Sequence, residues 1–150
     1  MTPPGKPAEI LLVEDNEDDV FLTKMAFEDS QFDSELHVVN DGEEALDYLF
    51  GRGAHTGRPV PDLVLLDLNL PKLNGIEILE ALKADEALSV IPVVMLTSSK
   101  AERDVLASYR HHASGYVTKP SEFSGLVDIV ESIRDFWFST VILPRSVGIA

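Results

Sequence analysis

The chain has 150 residues, with 26 acidic against 12 basic side chains and a formal charge of −14, a balance that repels nucleic acid and anionic membrane and argues against direct DNA binding. It holds no cysteine, so disulfides and thiolate metal sites are excluded, and no apolar run approaches the roughly 20 residues that span a bilayer. A chain of this length suits one domain burying roughly two-thirds of its unfolded surface, and a soluble, cytoplasmic protein is the expectation.

Residues 1–7, with Pro3, Pro4, Gly5 and Pro7, offer little to bury and are expected to form a disordered lead-in. Ile10-Leu11-Leu12-Val13 is a continuous apolar run, the pattern of a strand buried on both faces, and it stops abruptly at Glu14-Asp15-Asn16-Glu17-Asp18-Asp19. A helix follows, with Val20, Phe21, Met25 and Phe27 as its apolar positions. Leu36-His37-Val38-Val39 is a second strand, and Asp41 with Glu44 at capping-box spacing opens a helix through Ala45, Leu46 and Leu49. Residues 51–61 are too polar and glycine-rich for a regular element, and they are long for a helix-to-strand connection.

Leu63-Val64-Leu65-Leu66 is a third buried strand closed by Asp67, after which Leu70-Pro71 and Asn74-Gly75 turn the chain. Asn74 and Glu77 open the next helix, which runs through Ile76, Leu79 and Leu82. The fourth strand, Val90 to Leu96 with Pro92 near its start, delivers Thr97-Ser98-Ser99; Ser99 and Glu102 are the expected cap of a helix reaching about His111. His111 and His112 are expected to be solvated. Gly115-Tyr116-Val117 is a short fifth strand ending at Thr118-Lys119-Pro120. The last helix carries Phe123, Leu126, Val127, Val130, Ile133, Phe136 and Trp137 on one stripe, which assigns Phe136 and Trp137 to the core. The folded domain is thus expected over 8–138, with 139–150 as a C-terminal tail.

Five strand-helix units in strict alternation imply an α/β fold, a five-stranded parallel sheet doubly wound with helices on both faces. All strand ends then share one edge, the edge where ligands bind in open α/β sheets. That edge collects Glu14, Asp15, Asp67, Thr97 and Lys119. Carboxylates brought together raise one another's pKa unless a cation compensates, and oxygen donors without His or Cys suit Mg²⁺, which prefers to share itself with a phosphoryl oxygen. A carboxylate beside such an ion can attack phosphorus and form an acyl phosphate. Asp67 is best placed to do so, with Lys119 as a point charge on one phosphoryl oxygen and the Thr97 hydroxyl donating to another.

Val13-Glu14-Asp15, Leu66-Asp67-Leu68-Asn69-Leu70-Pro71, Gly75, Pro92-Val93-Val94-Met95-Leu96-Thr97 and Lys119-Pro120 together resemble the response-regulator receiver domain of two-component signalling. The likeness spans nearly the whole chain and implies the flavodoxin-like receiver fold. It implies Asp67 as phosphoacceptor, and Glu14, Asp15, Asp67 and the Asn69 backbone carbonyl around Mg²⁺. It likewise implies Thr97 and Tyr116 as the switch pair, Lys119 as the phosphoryl-binding lysine, and a cis Lys119-Pro120 bond. Glu14 stands where many receivers carry Asp, and its longer side chain reaches the ion directly or through water.

The long 51–61 loop, the Asp67-Leu68-Asn69-Leu70-Pro71-Lys72 stretch and the Phe136-Trp137-Phe138-Ser139-Thr140 to Leu143-Pro144 tail are similar to small regulators paired with phytochrome histidine kinases. That subgroup implies a light-sensing histidine kinase of bacterial phytochrome type as phosphoryl donor and a homodimer in which the tail takes part; a histidine phosphotransfer protein is a further expected partner. Two alternatives compete. A phosphatase working through an aspartyl phosphate would need a second Asp where this chain has Asn69, which cannot transfer that proton. A pseudo-receiver that only binds partners would lack part of the constellation, and here it is complete.

Overall fold

The structure, a computed structural model, describes residues 6–144. Much of the expected lead-in 1–7 and the end of the tail therefore lie outside the described residues. Five strands form one parallel sheet: β1 Ala8–Val13, β2 Ser34–Val39, β3 Leu63–Leu66, β4 Val93–Thr97 and β5 Gly115–Thr118, in the order β2-β1-β3-β4-β5. The helices are α1 Glu17–Asp29, α2 Gly42–Phe50, α3 Gly75–Ala84, α4 Glu102–Arg110 and α5 Phe123–Asp135. The order reverses between β1 and β3, which opens a crevice at their carboxyl ends.

The sheet is buried on both faces because side chains alternate along each strand. Leu11, Val13, Val64, Leu66, Val93 and Met95 point to one face and pack with Ala45, Leu49, Ile78, Leu79 and Leu82 of α2 and α3. Ile10, Leu12, Leu63, Leu65 and Val94 point to the other and meet Ala26 and Phe27 of α1 and Leu126, Val130 and Ile133 of α5. Pairing is in strict parallel register, with Val13 beside Val39 on one flank and Leu66 on the other.

Three helix starts were legible from capping residues, with different outcomes. Asn74 and Glu77 close a full capping box on α3. On α2 the Asp41 side chain accepts from Glu44 N–H, whereas the Glu44 carboxylate reaches back to Asn40 N–H at 3.1 Å. The expected Ser99 cap of α4 is displaced. The N-cap position falls on Ala101, and the Ser99 hydroxyl donates to Asp104 Oδ2 instead.

The 51–61 segment contains one short 3₁₀ turn, Gly53–His55, and it is tied down by α2. Gly51, in the left-handed region at φ 66°, ends α2; its N–H reaches Tyr48 O at 3.2 Å and Arg52 N–H reaches Asp47 O at 2.8 Å, a Schellman arrangement. Arg58 then donates to the Tyr48 and Leu49 carbonyls, so the loop serves as a second cap.

Two apolar stripes differ from expectation. On α1 the expected Phe27 is buried together with Thr23 and Ala26, while Phe21 and Met25 face outward. After α5 the chain widens into a π-helical turn, Phe136–Thr140, which rotates the stripe. Phe136 is consequently exposed and Trp137 half-buried, whereas Phe138 is buried against Phe32 with ring centroids 5.2 Å apart. The tail folds back as well: Leu143 is buried in the α1–α5 core, next to Ile142, which is 75% exposed.

Candidate functional site

Each strand of the crevice ends in a polar side chain. The β1 ladder runs one residue past the strand, Glu14 N–H donating to Val39 O at 3.0 Å, and this holds the Glu14 side chain inside. Its Oε2 accepts from Asn16 N–H at 3.2 Å, and Asn16 in turn caps α1. Asp15, next along, is exposed. Asp67 is likewise an extension of its strand, with its N–H on Val13 O at 3.2 Å. The turn after it is tight. Gly75 N–H donates to Leu68 O at 2.8 Å, and a Cβ on Gly75 would overlap the Asp67 carbonyl oxygen.

From the other side, Lys119 N–H donates to Thr97 O at 2.8 Å and fixes the β5 end against β4. Its ammonium then meets three carboxylates: Glu14 Oε1, Asp19 Oδ2 at 2.9 Å and Asp67 Oδ2 at 3.2 Å. Pro120 is packed by α5, where a Cβ on Gly125 would come within 2.8 Å of it. The expected cis Lys119-Pro120 bond is not found, since no cis peptide occurs among the described residues. The trans form is the lower-energy isomer of an X–Pro bond, and from it Lys119 reaches all three carboxylates.

Oxygens of Glu14, Asp15 and Asp67 lie within 4.8 Å of one another. Asp67 Oδ1 is buried and has no hydrogen-bond partner. An all-oxygen donor set with an unpartnered buried carboxylate oxygen fits a hard divalent cation such as Mg²⁺. Negative charge is in excess here. Burial pushes the Glu14 carboxyl above its ordinary 4.5, reinforced by the Asp67 charge and opposed by the Lys119 hydrogen bond. Burial alone would lower the Lys119 pKa, but hydrogen bonds to Glu14 and Asp19 and the nearby charges hold it well above 10.5.

The remaining expected residues surround this cluster. Thr97 is fully buried, with Ser99 N–H 3.4 Å from its hydroxyl. Tyr116 sits partly buried on β5 and donates its hydroxyl hydrogen to Ser99 O at 2.9 Å, so it is tied to the β4–α4 loop. Asn69 is exposed on the turn after Asp67. Reading the sequence missed Asp19 as a member of the cluster. A run of acids from Glu17 to Asp19 looks like an ordinary helix start, and only the α1 geometry turns the third of them toward Lys119.

Residues 10–131 match the family described as the response regulator receiver domain. The chain belongs to that family. Among the receiver's relatives, response regulator Rcp1 of Synechocystis sp. is 44% identical over 140 residues, spanning 93% of this chain and 95% of that protein. The crystal structure of the phosphorylated cyanobacterial phytochrome response regulator RcpA matches with a TM-score of 0.87 at 44% identity, covering 93% of this chain and 99% of that one. The Mn²⁺-bound form of Rcp1 matches at 0.84 and 43% identity, over 92% and 99%. The receiver's Glu14, Asp15 and Asp67 form a carboxylate cluster with the spacing to hold a metal ion, and no helix among its described residues is long and apolar enough to cross a membrane.

Proposed function

We propose that Asp67 accepts a phosphoryl group from a sensor histidine kinase and that the receiver signals through the surface this changes. The observation that carries the reading is the Asp67 carboxylate itself: Oδ1 is buried and unpartnered at the end of the central strand, while Oδ2 lies 3.2 Å from Lys119 Nζ. An Asp67 oxygen attacks phosphorus, the phosphorus–nitrogen bond of the donor phosphohistidine breaks, and its electron pair remains on the imidazole. Lys119 offsets charge on one phosphoryl oxygen and the Thr97 hydroxyl donates to another. Glu14 (directly or through water), Asp15, Asp67 and the Asn69 carbonyl would hold a divalent cation such as Mg²⁺, which would supply charge neutralisation where two anions meet. The chain's own groups thereby catalyse its phosphorylation and its later hydrolysis.

Phosphorylation draws Thr97 toward Asp67 and lets Tyr116 turn inward, and the Tyr116–Ser99 tie carries that change to the β4–α4 loop. The output surface is then α4, β5 and α5. Likeness to RcpA and Rcp1 supports a bacterial phytochrome as the kinase and a cytoplasmic setting, and the outward Phe21, Leu22 and Met25 of α1 support docking beside the site. Exposed Phe136 and Ile142 support a homodimer through the 139–150 tail appended to the 8–138 domain, and a histidine phosphotransfer protein is a further partner for the same carboxylate.

Intact mass after incubation with acetyl phosphate, with and without Mg²⁺, tests this. One Mg²⁺-dependent phosphoryl adduct is expected on the native chain and none on Asp67→Asn; an unchanged adduct on the mutant would overturn the assignment.

A further inference from the structure

Lys119 presents three N–H donors and directs them at three carboxylates, of which Glu14 and Asp67 also belong to the divalent-cation cluster. Asp19 does not belong to it. When Glu14 and Asp67 oxygens turn to a cation and a phosphoryl group, Asp19 is the member of the trio left to hold the ammonium. Its backbone is fixed in the first turn of α1: Asp19 N–H donates to Asn16 Oδ1 at 2.9 Å, and the Thr23 hydroxyl donates to Asp19 O at 2.7 Å. Asp19 and Lys119 both line a cleft of about 60 Å³, beside the polar Thr23, Ser121 and Glu122 and with Leu22, Leu96, Phe123 and Leu126 among its apolar residues. The apolar wall limits where the lysine stem can swing.

We propose that Asp19 is a positioning residue for Lys119, keeping its ammonium at the phosphoryl position while the metal carboxylates are engaged. Asp19 touches neither the metal cluster nor the reacting oxygen. Losing it therefore loosens Lys119 without emptying the cation site. The contact is partly solvated, the Asp19 side chain being 39% exposed, so the loss is moderate, about fivefold in rate. The rate effect rests on Asp67 being the phosphoacceptor; the placement of the ammonium does not.

The test uses the full ¹⁵N-labelled chain with saturating Mg²⁺. The Lys119 ammonium signal, assigned by its absence in Lys119→Arg, is expected to persist in the native chain. It should vanish into solvent exchange in Asp19→Ala, weaken in Asp19→Asn and return in Asp19→Glu. In parallel, acetyl-phosphate labelling should slow about fivefold in Asp19→Ala, with calorimetric Mg²⁺ affinity within about twofold of native and the melting temperature retained. Persistence of the signal in Asp19→Ala, its absence from the native chain, or a Mg²⁺ affinity that falls in step with the rate would overturn the proposal. If the ammonium behaves as expected but the native chain takes no label, the positioning stands and the phosphoacceptor reading fails.

Discussion

Replacing Lys119 with methionine keeps most of the side chain's length while removing the cation shared by Glu14, Asp19 and Asp67. The side chains of Lys119, Glu14 and Asp67 are 16%, 3% and 9% exposed, so two nearly buried carboxylates lose their counter-charge. Removing one partner of a buried ion pair costs about 3–5 kcal/mol. Asp19 is solvated and adds little, and the residual solvent access of Lys119 and Asp67 screens the rest, which leaves about 2 kcal/mol at pH 7, or a melting temperature lowered by roughly 4–8 °C in a domain of this size. The sign with pH follows from Glu14. Its carboxyl already sits above 4.5, and loss of the Lys119 hydrogen bond raises it further. A group with a raised folded-state pKa contributes stability that is fully present below the unfolded value and is lost as pH rises through the folded one. The gap between native and mutant is therefore small below pH 4.5 and opens toward neutrality. Mg²⁺ at one fixed saturating concentration narrows it again, since the ion replaces the missing cation and so binds the mutant more tightly than the native chain, each tenfold difference in affinity recovering about 1.4 kcal/mol. Urea unfolding followed by circular dichroism across this pH range, with and without Mg²⁺, measures all three effects. A mutant as stable as native at pH 7 without Mg²⁺, or a gap independent of pH, would refute the reasoning.

Gly75→Ala places a methyl group against the Asp67 carbonyl oxygen and 2.9 Å from Leu68 Cα, neither of which can yield without moving the strand end. A loss of about 2 kcal/mol in urea unfolding is expected, with acetyl-phosphate labelling slowed tenfold or more as Asp67 shifts. Leu143→Ala and Ile142→Ala alter adjacent residues with opposite surroundings, 2% and 75% exposed. The first should cost about 2–3 kcal/mol and the second under about 0.5, and equal values in thermal unfolding would show that the tail does not pack on the α1–α5 core.

The fold was legible because its signals are strong and local. Leu63 to Leu66 is a continuous apolar run closed by a carboxylate, β1 repeats that design with Glu14 and β4 is an apolar run closed by Thr97, so alternation with helices left one architecture and one functional edge. What escaped depends on rotation and reach, which a sequence pattern does not encode. Phe21 and Met25 carry part of the apolar signal of α1, yet the buried face is the one that Thr23 and Ala26 share with Phe27. Phe136 extends the α5 stripe on paper, and one π-helical turn hands its place to Phe138. Ser99 has the chemistry of a cap, but its hydroxyl turns to Asp104 while its carbonyl receives Tyr116. Asp19 was hidden among like residues, and only a contact between positions 19 and 119 distinguishes it from Glu17 and Asp18.

On the proposed function the reactive carboxylate is Asp67, at the carboxyl end of β3. Borohydride reduction after acetyl-phosphate treatment converts an aspartyl phosphate to homoserine, which peptide mass mapping locates to a single residue. Homoserine at position 67, dependent on Mg²⁺ and absent without the phosphoryl donor, is the predicted result. Homoserine at Asp15, a reduced glutamyl product at Glu14, or no reduced residue at all would contradict the account.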